Sequence, residues 1–387
     1  MRRNRFIWLG FLILALVGIT CYGGPVSYGF LATVVLIPIS SIIYISFVAL
    51  CFRIYQKIES KTLVVGAAYP FYITLKNEFF FAFSSIKITL FSDFSYIEGM
   101  DDSIEYELFP SDKIDYTTKL VCRYRGDYYV GIKEVVIQDF FRLFKYTYTN
   151  SEKTKVNVKP RMVYIENIKN VDLNNIMSKD SLFHPSVPDI IVREYIAGDD
   201  VRQMNWKSTA RSGKLMVRRY IGEEKQRVGI ILDTRRFGKE QIEFLPVENK
   251  MLELSVALGL YMAGKNVPVS LWHGSETMSE TNISSLLEFD YLYETLSNVR
   301  FAADEDGQEL MSDFFAHKRI MDCRIIFFVI HEWNEKFEKI INTLNENNIY
   351  VLVCVVREKT GEKIKLIKGN NVDFIEIDLD SNLMEAL

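Results

Sequence analysis

Three side chains that could bind a metal ion or transfer protons follow predicted strands in the C-terminal part of the chain. Asp233 follows the apolar run Val228–Leu232, and His331 with Glu332 follows the later run Arg324–Ile330. Ligands of doubly wound α/β sheets gather at the carboxyl ends of strands, where we expect these residues to lie. They raise two hypotheses: a cation-dependent ligand-binding module centred on Asp233, or a hydrolase that uses all three side chains.

The rest of the chain gives the hydrolase hypothesis no further support. His184, His273 and His317 are isolated in the sequence, and none has a defensible spacing from a nucleophile. The motifs G-x-S-x-G, H-E-x-x-H and G-x-G-x-x-G and the Walker A loop do not occur. We therefore predict no catalytic residue and no cofactor, and we expect the protein not to be an enzyme.

A basic segment around a tryptophan, residues 193–215, is the most distinctive part of the sequence. Asp199 or Asp200 can cap a helix by accepting hydrogen bonds from its first free N–H groups. We predict that this helix runs to about Arg211. Gly213 is suited to end it, because glycine adopts the left-handed conformation that often terminates helices.

The charges of this segment allow two interpretations. Arg202 and Trp206 would lie four residues apart on one helix face, where a guanidinium can stack on an indole ring. In one interpretation the basic residues form internal ion pairs that fix how the domains meet. In the other they form a docking surface for an acidic partner segment. The basic residues are Arg193, Arg202, Lys207, Arg211, Lys214, Arg218 and Arg219, and the acidic candidates are Glu194, Asp199, Asp200, Glu223 and Glu224.

Two predicted soluble domains position these residues, and residues 161–225 link them. In residues 226–387 continuous apolar strands alternate with helical patterns, which predicts a doubly wound α/β domain with a sheet covered on both faces. Residues 60–160 carry short alternating runs, which predict an antiparallel β-sandwich of about seven strands. Among these runs, Tyr129–Ile137 is predicted to be one strand that follows a turn at 125–128.

Two apolar segments precede these domains. No Asp, Glu, Lys or Arg occurs in Phe6–Phe52, and this run is much longer than the roughly 20 residues that a membrane-spanning helix needs. The sequence Gly-Gly-Pro at 23–25 interrupts it. We therefore predict a transmembrane hairpin in residues 1–58, with helices at about 6–22 and 28–52.

Two alternatives compete with the hairpin. A cleaved signal peptide needs a small-residue cleavage site, and Gly-Ile-Thr-Cys at 18–21 is a poor one. A buried core helix is the other alternative, and the length of the second segment argues against it. Pro38 lies inside that second segment, where a proline can kink the helix. It is tolerated when neighbours, or Ser40 and Ser41, take up the backbone groups that it frees.

Positive residues on one side of the hairpin set its expected orientation. Arg2, Arg3 and Arg5 precede the first apolar segment, and Arg53 and Lys57 follow the second. Because positive residues stay on the cytoplasmic side, we predict a multi-pass protein of the inner (plasma) membrane with both termini in the cytoplasm.

Composition limits the remaining classes of function. The 387 residues are 49% hydrophobic and 25% charged, which is enough apolar material for sizeable cores. The formal net charge of −4 gives no indication of a nucleic-acid partner. The five cysteines are dispersed without a C-x-x-C motif, which indicates reduced thiols rather than a disulfide framework.

The spacing within the basic segment resembles a known family. The pattern Arg-x-Tyr-x-x-Gly-Asp-x-x-Arg-x-x-x-Trp-x-x-x-Ala-Arg is similar to the signature of the bacterial domain-of-unknown-function 58 family. The resemblance implies an N-terminal membrane hairpin, a sandwich and a C-terminal von Willebrand factor A-like domain. It also implies an accessory role beside MoxR-type AAA+ ATPases. The matching residues are Arg193, Tyr195, Gly198, Asp199, Arg202, Trp206, Ala210 and Arg211.

The resemblance also bears on the cation hypothesis. Von Willebrand A domains often hold Mg²⁺ through an Asp-x-Ser-x-Ser loop, whereas residues 233–237 read Asp-Thr-Arg-Arg-Phe. Only Asp233 fits that pattern, and a cation at 235 would repel Mg²⁺. Arg235 can instead form an internal salt bridge with Asp233. We therefore predict a degenerate position without a metal ion.

These observations favour one function. We predict a non-catalytic, membrane-anchored scaffold or adaptor that presents protein-binding domains in the cytoplasm. Its expected partners are the lipid bilayer and a MoxR-type AAA+ ATPase, and nucleic acid is not expected. The cation-dependent module at Asp233 and an unrecognised hydrolase are the alternatives.

Overall fold

The computed structural model divides into two compact units, Met1–Lys159 and Pro160–Leu387. The predicted hairpin and sandwich fall in the first unit, and the basic segment falls in the second with the predicted α/β domain. The structure describes residues 1–102, 104–150, 153–168, 190–195, 204–220, 227–236, 238–274, 278–303, 320, 323–333, 335–347, 349–357 and 371–386.

The first unit begins with two helices, α1 (Arg2–Cys21) and α2 (Pro25–Cys51). Among the described residues, these two are long and apolar enough to cross a membrane, judged by length and composition only. Gly23 and Gly24 join them at φ angles of 60° and 86°, a region that residues with a Cβ rarely adopt. The two apolar N-terminal helices predicted from the sequence are therefore confirmed.

A hydrogen bond from Trp8 on α1 to a carbonyl that Pro38 leaves free on α2 connects the two helices. Pro38 has no N–H and cannot donate to the carbonyl of Val34 one turn earlier. The indole Nε1 of Trp8 on α1 donates to that carbonyl at 2.9 Å. The carbonyl of Val34 is therefore satisfied by a neighbour, Trp8. The hydroxyl of Ser40 donates to the carbonyl of Ile37 instead.

The first unit continues as short strands in three sheets of its described residues. The strands are β1 (Phe52–Ile58), β2 (Thr62–Val64), β3 (Ala68–Asn77), β4 (Phe83–Leu90), β5 (Ser95–Ile97), β6 (Glu105–Leu108), β7 (Lys113–Cys122), β8 (Gly126–Val130), β9 (Ile132–Gln138), β10 (Lys145–Thr149) and β11 (Thr154–Lys159). The sheet orders are β1-β3-β7-β5, β10-β9-β4-β6 and β2-β11-β8. Neighbouring strands are antiparallel, apart from β2 and β11, which are parallel.

One apolar core joins these sheets. Alternate residues of β3 face it, so that Phe71, Ile73 and Leu75 are fully buried, and Ile86 and Ile88 meet them from β4. Burying each such side chain contributes roughly 1.5–3 kcal/mol. The alternation that predicted a two-layer β domain thus places the core between sheets.

The predicted strand Tyr129–Ile137 is wrong as a single element, because Gly131 divides it. Gly131 has a φ of 86°, and a Cβ there would lie 2.3 Å from Oε1 of Gln56. That oxygen accepts a hydrogen bond from the N–H of Ile132 at 3.0 Å. The chain therefore changes sheet at Gly131, and β8 and β9 pair with different partners. This division and the three-residue strands explain why the predicted count of about seven strands was too low.

The second unit alternates strands and helices. Its described elements are β12 (Ile190–Glu194), α3 (Trp206–Ser212), β13 (Met216–Tyr220), β14 (Arg227–Leu232), β15 (Arg235–Arg236), α4 (Gln241–Gly264), β16 (Val269–His273), β17 (Ser279–Ile283), α5 (Phe289–Asn298), β18 (Ala302–Ala303), β19 (Cys323–Ile330), α6 (Glu335–Glu346), β20 (Tyr350–Arg357), β21 (Val372–Asp378) and α7 (Leu383–Ala386). The main sheet has the order β17-β16-β14-β19-β20-β21 within the described residues. Its strands run parallel, except for the antiparallel β17 at one edge.

Both faces of this main sheet are covered by helices. Val228 and Ile230 of β14 belong to one core, which also contains buried residues of α4 and α5. The next residue of β14, Ile231, faces the other side of the sheet and belongs to a second core with Phe337 and Ile340 of α6. A parallel sheet buried on both faces needs such continuous apolar strands, which is the pattern that predicted an α/β domain.

Candidate functional site

Asp233 stands directly after β14, at the carboxyl edge of the main sheet, and its side chain is only 1% exposed. Its backbone N–H donates to the carbonyl of Val329 on β19 at 2.9 Å, which fixes the start of the loop. Arg235 donates to the carboxylate through two nitrogens, with Nε–Oδ1 at 2.8 Å and Nη2–Oδ2 at 2.6 Å. The guanidinium carbon also lies 5.0 Å from the ring centroid of Phe337. The internal salt bridge predicted between Asp233 and Arg235 is confirmed.

The next polar side chains of this loop also have partners inside the second unit. The hydroxyl of Thr234 donates to the carbonyl of Gly274, at the end of β16. Arg236 donates to Oε1 of the buried Glu248 on α4 at 2.6 Å, and its guanidinium lies over Phe244 at 4.0 Å. Glu248 was not predicted as a partner of this loop, although a glutamate within the apolar pattern of the predicted helix signals the need for a cationic partner.

The loop from Asp233 to Arg236 is therefore built as an ion-pair network. A hard cation needs several oxygen ligands, and here both carboxylate oxygens of Asp233 already accept from Arg235. Binding Mg²⁺ would require the guanidinium to leave a site where it is almost completely buried. No group of three His, Cys, Asp or Glu side chains within the described ranges is arranged to hold a metal ion.

His331 and Glu332 follow β19, next to β14, as predicted. A ring nitrogen of His331, Nδ1, lies 2.6 Å from the carbonyl oxygen of Val356 on β20, on the side of β19 away from β14. Glu332 is exposed. Burial lowers the pKa of His273, which lies at the end of β16. The three hypothesised residues share an edge of the sheet, but Asp233 and His331 each have a different partner.

The helix of the basic segment is shorter than predicted. Helix α3 begins at Trp206, because Asn205 caps it by accepting from the N–H of Ser208 at 3.2 Å. Met204, just before the cap, forms a β-bridge with Val217, so a helix from Asp199 or Asp200 through this position was wrong. The predicted stop at Gly213 is confirmed, with a φ of 67°.

The shorter helix changes how the signature residues are related. Strands β12 and β13 form a hairpin around α3, in which the backbone of Arg193 pairs with Val217 and Tyr195 donates to Leu215. Trp206 is the first residue of α3, and its contact with Arg202 stays a prediction. The predicted residues Gly198, Asp199 and Arg202 lie outside the described residues.

Trp206 is the most notable side chain of this hairpin, because 65% of it is exposed to solvent. Lys207, Ala210 and Arg211 are exposed on the same short helix. Lys214 and Glu194 form an ion pair of 2.5 Å, but both side chains are more than half exposed, so the pair contributes little to stability. The described part of the segment therefore presents an aromatic ring and positive charges to solvent.

Comparison with protein families supports the resemblance found in the signature. Residues 191–281 match the family described as "Protein of unknown function DUF58". The match covers the α3 hairpin, β14, the Asp233 loop, α4 and β16, and it confirms the family assignment made from the sequence. A comparison with curated proteins gives no match.

Solved structures show only weak likenesses. The CARDB domain of a Pyrococcus furiosus protein is 16% identical, over 28% of this chain and 91% of that domain, with a TM-score of 0.19. Salmonella α-2-macroglobulin is 11% identical over 29% of this chain and 7% of its own, with a TM-score of 0.21. A Listeria innocua β-glucosidase is 14% identical over 28% of this chain and 16% of its own, with a TM-score of 0.16. TM-scores this low support no inference about function.

Proposed function

We propose that this chain, which carries the DUF58 family segment at residues 191–281, is a non-catalytic membrane-anchored scaffold. Helices α1 and α2 hold it in the inner membrane, with both termini in the cytoplasm. The second unit acts as a von Willebrand factor A-like domain that binds a protein. The doubly covered sheet supports this last assignment, because it has the layer arrangement that the family resemblance implies.

The exposed tryptophan of α3 is the observation that carries the docking proposal. Trp206 presents a large apolar ring, with the cations Lys207, Arg211 and Lys214 nearby in sequence. Tryptophan and arginine are enriched among the few residues that dominate binding at protein interfaces. The positive charges favour an acidic partner segment, since complementary charge promotes association. The family resemblance implies a MoxR-type AAA+ ATPase as that partner.

The Asp233 loop supports a docking mode that does not use a bridging cation. Arg235 occupies the carboxylate that would otherwise ligate the ion. A partner would then be recognised by side-chain contacts alone, and its binding should not depend on added Mg²⁺. The cation-dependent module receives no support from this geometry.

Copurification tests the proposal directly. The tagged full-length chain is extracted from membranes with its MoxR-type ATPase in the presence of a non-hydrolysable nucleotide. We expect Trp206→Ala to reduce the ATPase recovered by about tenfold or more, the effect of losing an interface hot spot. Tyr291→Ala is the matched control, because Tyr291 on α5 is an equally exposed aromatic residue, at 64%. Equal recovery with both variants, or no ATPase with the wild-type chain, would contradict the proposed docking surface.

A further inference from the structure

The end of α2 is built into the β domain of the first unit. The helix ends at Cys51 and β1 begins at Phe52, with no intervening linker. The hydroxyl of Tyr44 donates to the carbonyl of Ala82 at 3.2 Å and accepts from the N–H of Ser84 at 3.0 Å. Ile45 and Val48 are buried in the core of the sandwich. The helix therefore fixes which end of the sandwich lies next to any membrane that α2 enters.

That end of the sandwich carries exposed phenylalanines, which we name the aromatic collar. It consists of Phe80 (76% exposed), Phe109 (70%), Phe140 (61%) and Phe141 (51%). These residues lie on three loops, which join β3 to β4, β6 to β7, and β9 to β10. Folded proteins rarely leave four phenylalanines exposed at one end unless that surface meets an apolar environment.

Direct contacts place two of these loops, β3–β4 and β9–β10, against α2. The ring of Phe140 lies 4.7 Å from that of Tyr44, and Phe47 stacks on Phe79 at 5.6 Å. Phe79 lies in turn 4.3 Å from the collar residue Phe80. The collar is therefore continuous with the side chains of the last turns of α2.

Buried polar side chains hold the loops in place. The amide of Asn77, which is fully buried, donates to the carbonyls of Phe81 at 2.9 Å and Phe109 at 2.8 Å. The buried carboxylate of Asp139 accepts from the N–H of Phe144 at 2.8 Å. The collar phenylalanines are thus presented on fixed loops rather than on free ends.

The loop with Phe141 also lies against the start of α1. Asn4 donates to the carbonyl of Phe141 at 2.8 Å, and Nε of Arg5 donates to the carbonyl of Leu143 at 2.7 Å. Phe141 lines grooves with Ile37 of α2 and Trp8 of α1. Arginines before a spanning helix lie at the level of the lipid headgroups. The same level therefore passes through this loop.

We propose that the aromatic collar enters the headgroup zone of the leaflet around α2, so that the sandwich sits directly on the membrane. This rests on the proposed membrane anchoring by α1 and α2. The occupant is lipid because the apolar surface of α2 continues through the exposed Ile39, Ile43 and Phe47 onto the collar. Aromatic side chains are also enriched at this depth of a bilayer.

Depth-dependent quenching tests the collar in the full-length chain. An environment-sensitive dye is attached at Phe80→Cys or Phe109→Cys in a Cys21→Ser, Cys51→Ser background, since the other three cysteines are buried. The protein is reconstituted in phosphatidylcholine–phosphatidylglycerol vesicles that contain a lipid with a nitroxide near its glycerol end. Tyr96→Cys is the matched control, because Tyr96 is an exposed aromatic residue at the other end of the sandwich. Tyr96 pairs with Val121 of β7, and Val121 pairs with Ala68 at the start of β3. Ala68 lies about 30 Å along β3 from Asn77, the residue next to the collar, at the usual rise of a strand.

A dye at Leu14→Cys, an exposed position near the middle of α1, reports the anchoring itself in matched vesicles whose lipid carries the nitroxide near the end of its acyl chain. We expect strong quenching at Leu14, and quenching at Phe80 and Phe109 at least about threefold stronger than at Tyr96, since interfacial groups contact the labelled lipid. Quenching at Leu14 with none at the collar would overturn the collar proposal and leave the anchoring intact. A collar dye that is shielded from water but not quenched by lipid would also overturn it, because a protein would then cover the collar. Loss of quenching at Leu14 would overturn both proposals.

Discussion

The Asp233–Arg235 pair replaces the contacts that a metal-binding loop would make with its ion. Arg235→Ala should destabilise the main sheet strongly, because it leaves the carboxylate of Asp233 buried without its cation. Breaking a buried pair in this way costs about 3–5 kcal/mol. Hydrogen exchange of the β14 and β19 amides, converted to opening free energies, measures the loss.

Two further variants separate the buried pair from a general effect of removing arginine. Asp233→Ala combined with Arg235→Ala should cost clearly less than the sum of the single changes, because no unpaired charge remains. Arg357→Ala removes an arginine that pairs with Glu376 across β20 and β21 of the same sheet, but Glu376 is half exposed. Because the carboxylate left behind keeps its contact with water, that change should cost clearly less than Arg235→Ala. Equal losses for Arg235→Ala and Arg357→Ala would show that the Asp233 loop is not held by its ion pair.

His273 should make the second unit less stable in mild acid. Burial at the end of β16 lowers the pKa of this imidazole, whereas in the unfolded chain it titrates near 6.5. Below that pH the unfolded chain binds a proton that the folded chain does not, so stability falls as the pH drops through and below 6.5, by at most about 1.4 kcal/mol per pH unit. His273→Gln should show a smaller decrease in the urea midpoint between pH 7.5 and 5.5. Identical decreases in both proteins would refute the role of His273.

Between the two N-terminal helices, the hydrogen bond from Trp8 to Val34 joins α1 to α2. Trp8→Phe keeps an aromatic ring but removes the donor, so the carbonyl freed by Pro38 loses its partner. Hydrogen bonds between membrane helices contribute about 0.6–2 kcal/mol. The variant should therefore unfold at a lower mole fraction of SDS in mixed micelles.

A matched double variant gives this prediction its control. Pro38→Ala restores a backbone N–H that can donate to Val34 within α2, so Trp8→Phe should cost almost nothing in that background. If Trp8→Phe costs the same in the wild-type chain and in the Pro38→Ala background, the effect comes from packing of the indole and not from its hydrogen bond.

Strands and helices whose pattern is visible in a short stretch of sequence could be predicted. The continuous apolar strands of the second unit and the alternation in the first follow from which faces are buried, and both are visible in short windows. The pairing of Arg235 with Asp233 was predictable for the same reason, since the residues stand two apart. Their neighbour Arg236 pairs with Glu248, twelve residues away on α4, and its partner could not be identified in advance.

Errors arose where a distant contact decides between local signals. Asp199, Asp200 and Asn205 are all suitable helix caps, and the bridge between Met204 and Val217 selects Asn205. The break at Gly131 depends on Gln56, which is 76 residues from its hydrogen-bond partner Ile132. Neither contact can be recognised from the residues around the helix start or the strand break that it determines.

For the whole molecule, the native cysteines allow a test of the proposed topology without any inserted reporter. Cys21 is exposed at the end of α1, next to the glycine turn, while Cys122, Cys323 and Cys354 are buried. With both termini in the cytoplasm, only the turn faces outward, so a membrane-impermeant maleimide should label intact cells at Cys21. Cys21→Ser should abolish this label. Cys51, at the opposite end of the hairpin and partly buried, should react only after the cells are opened. Labelling of Cys21 only in opened cells would place the turn inside and both soluble units outside, where a cytoplasmic ATPase could not reach Trp206.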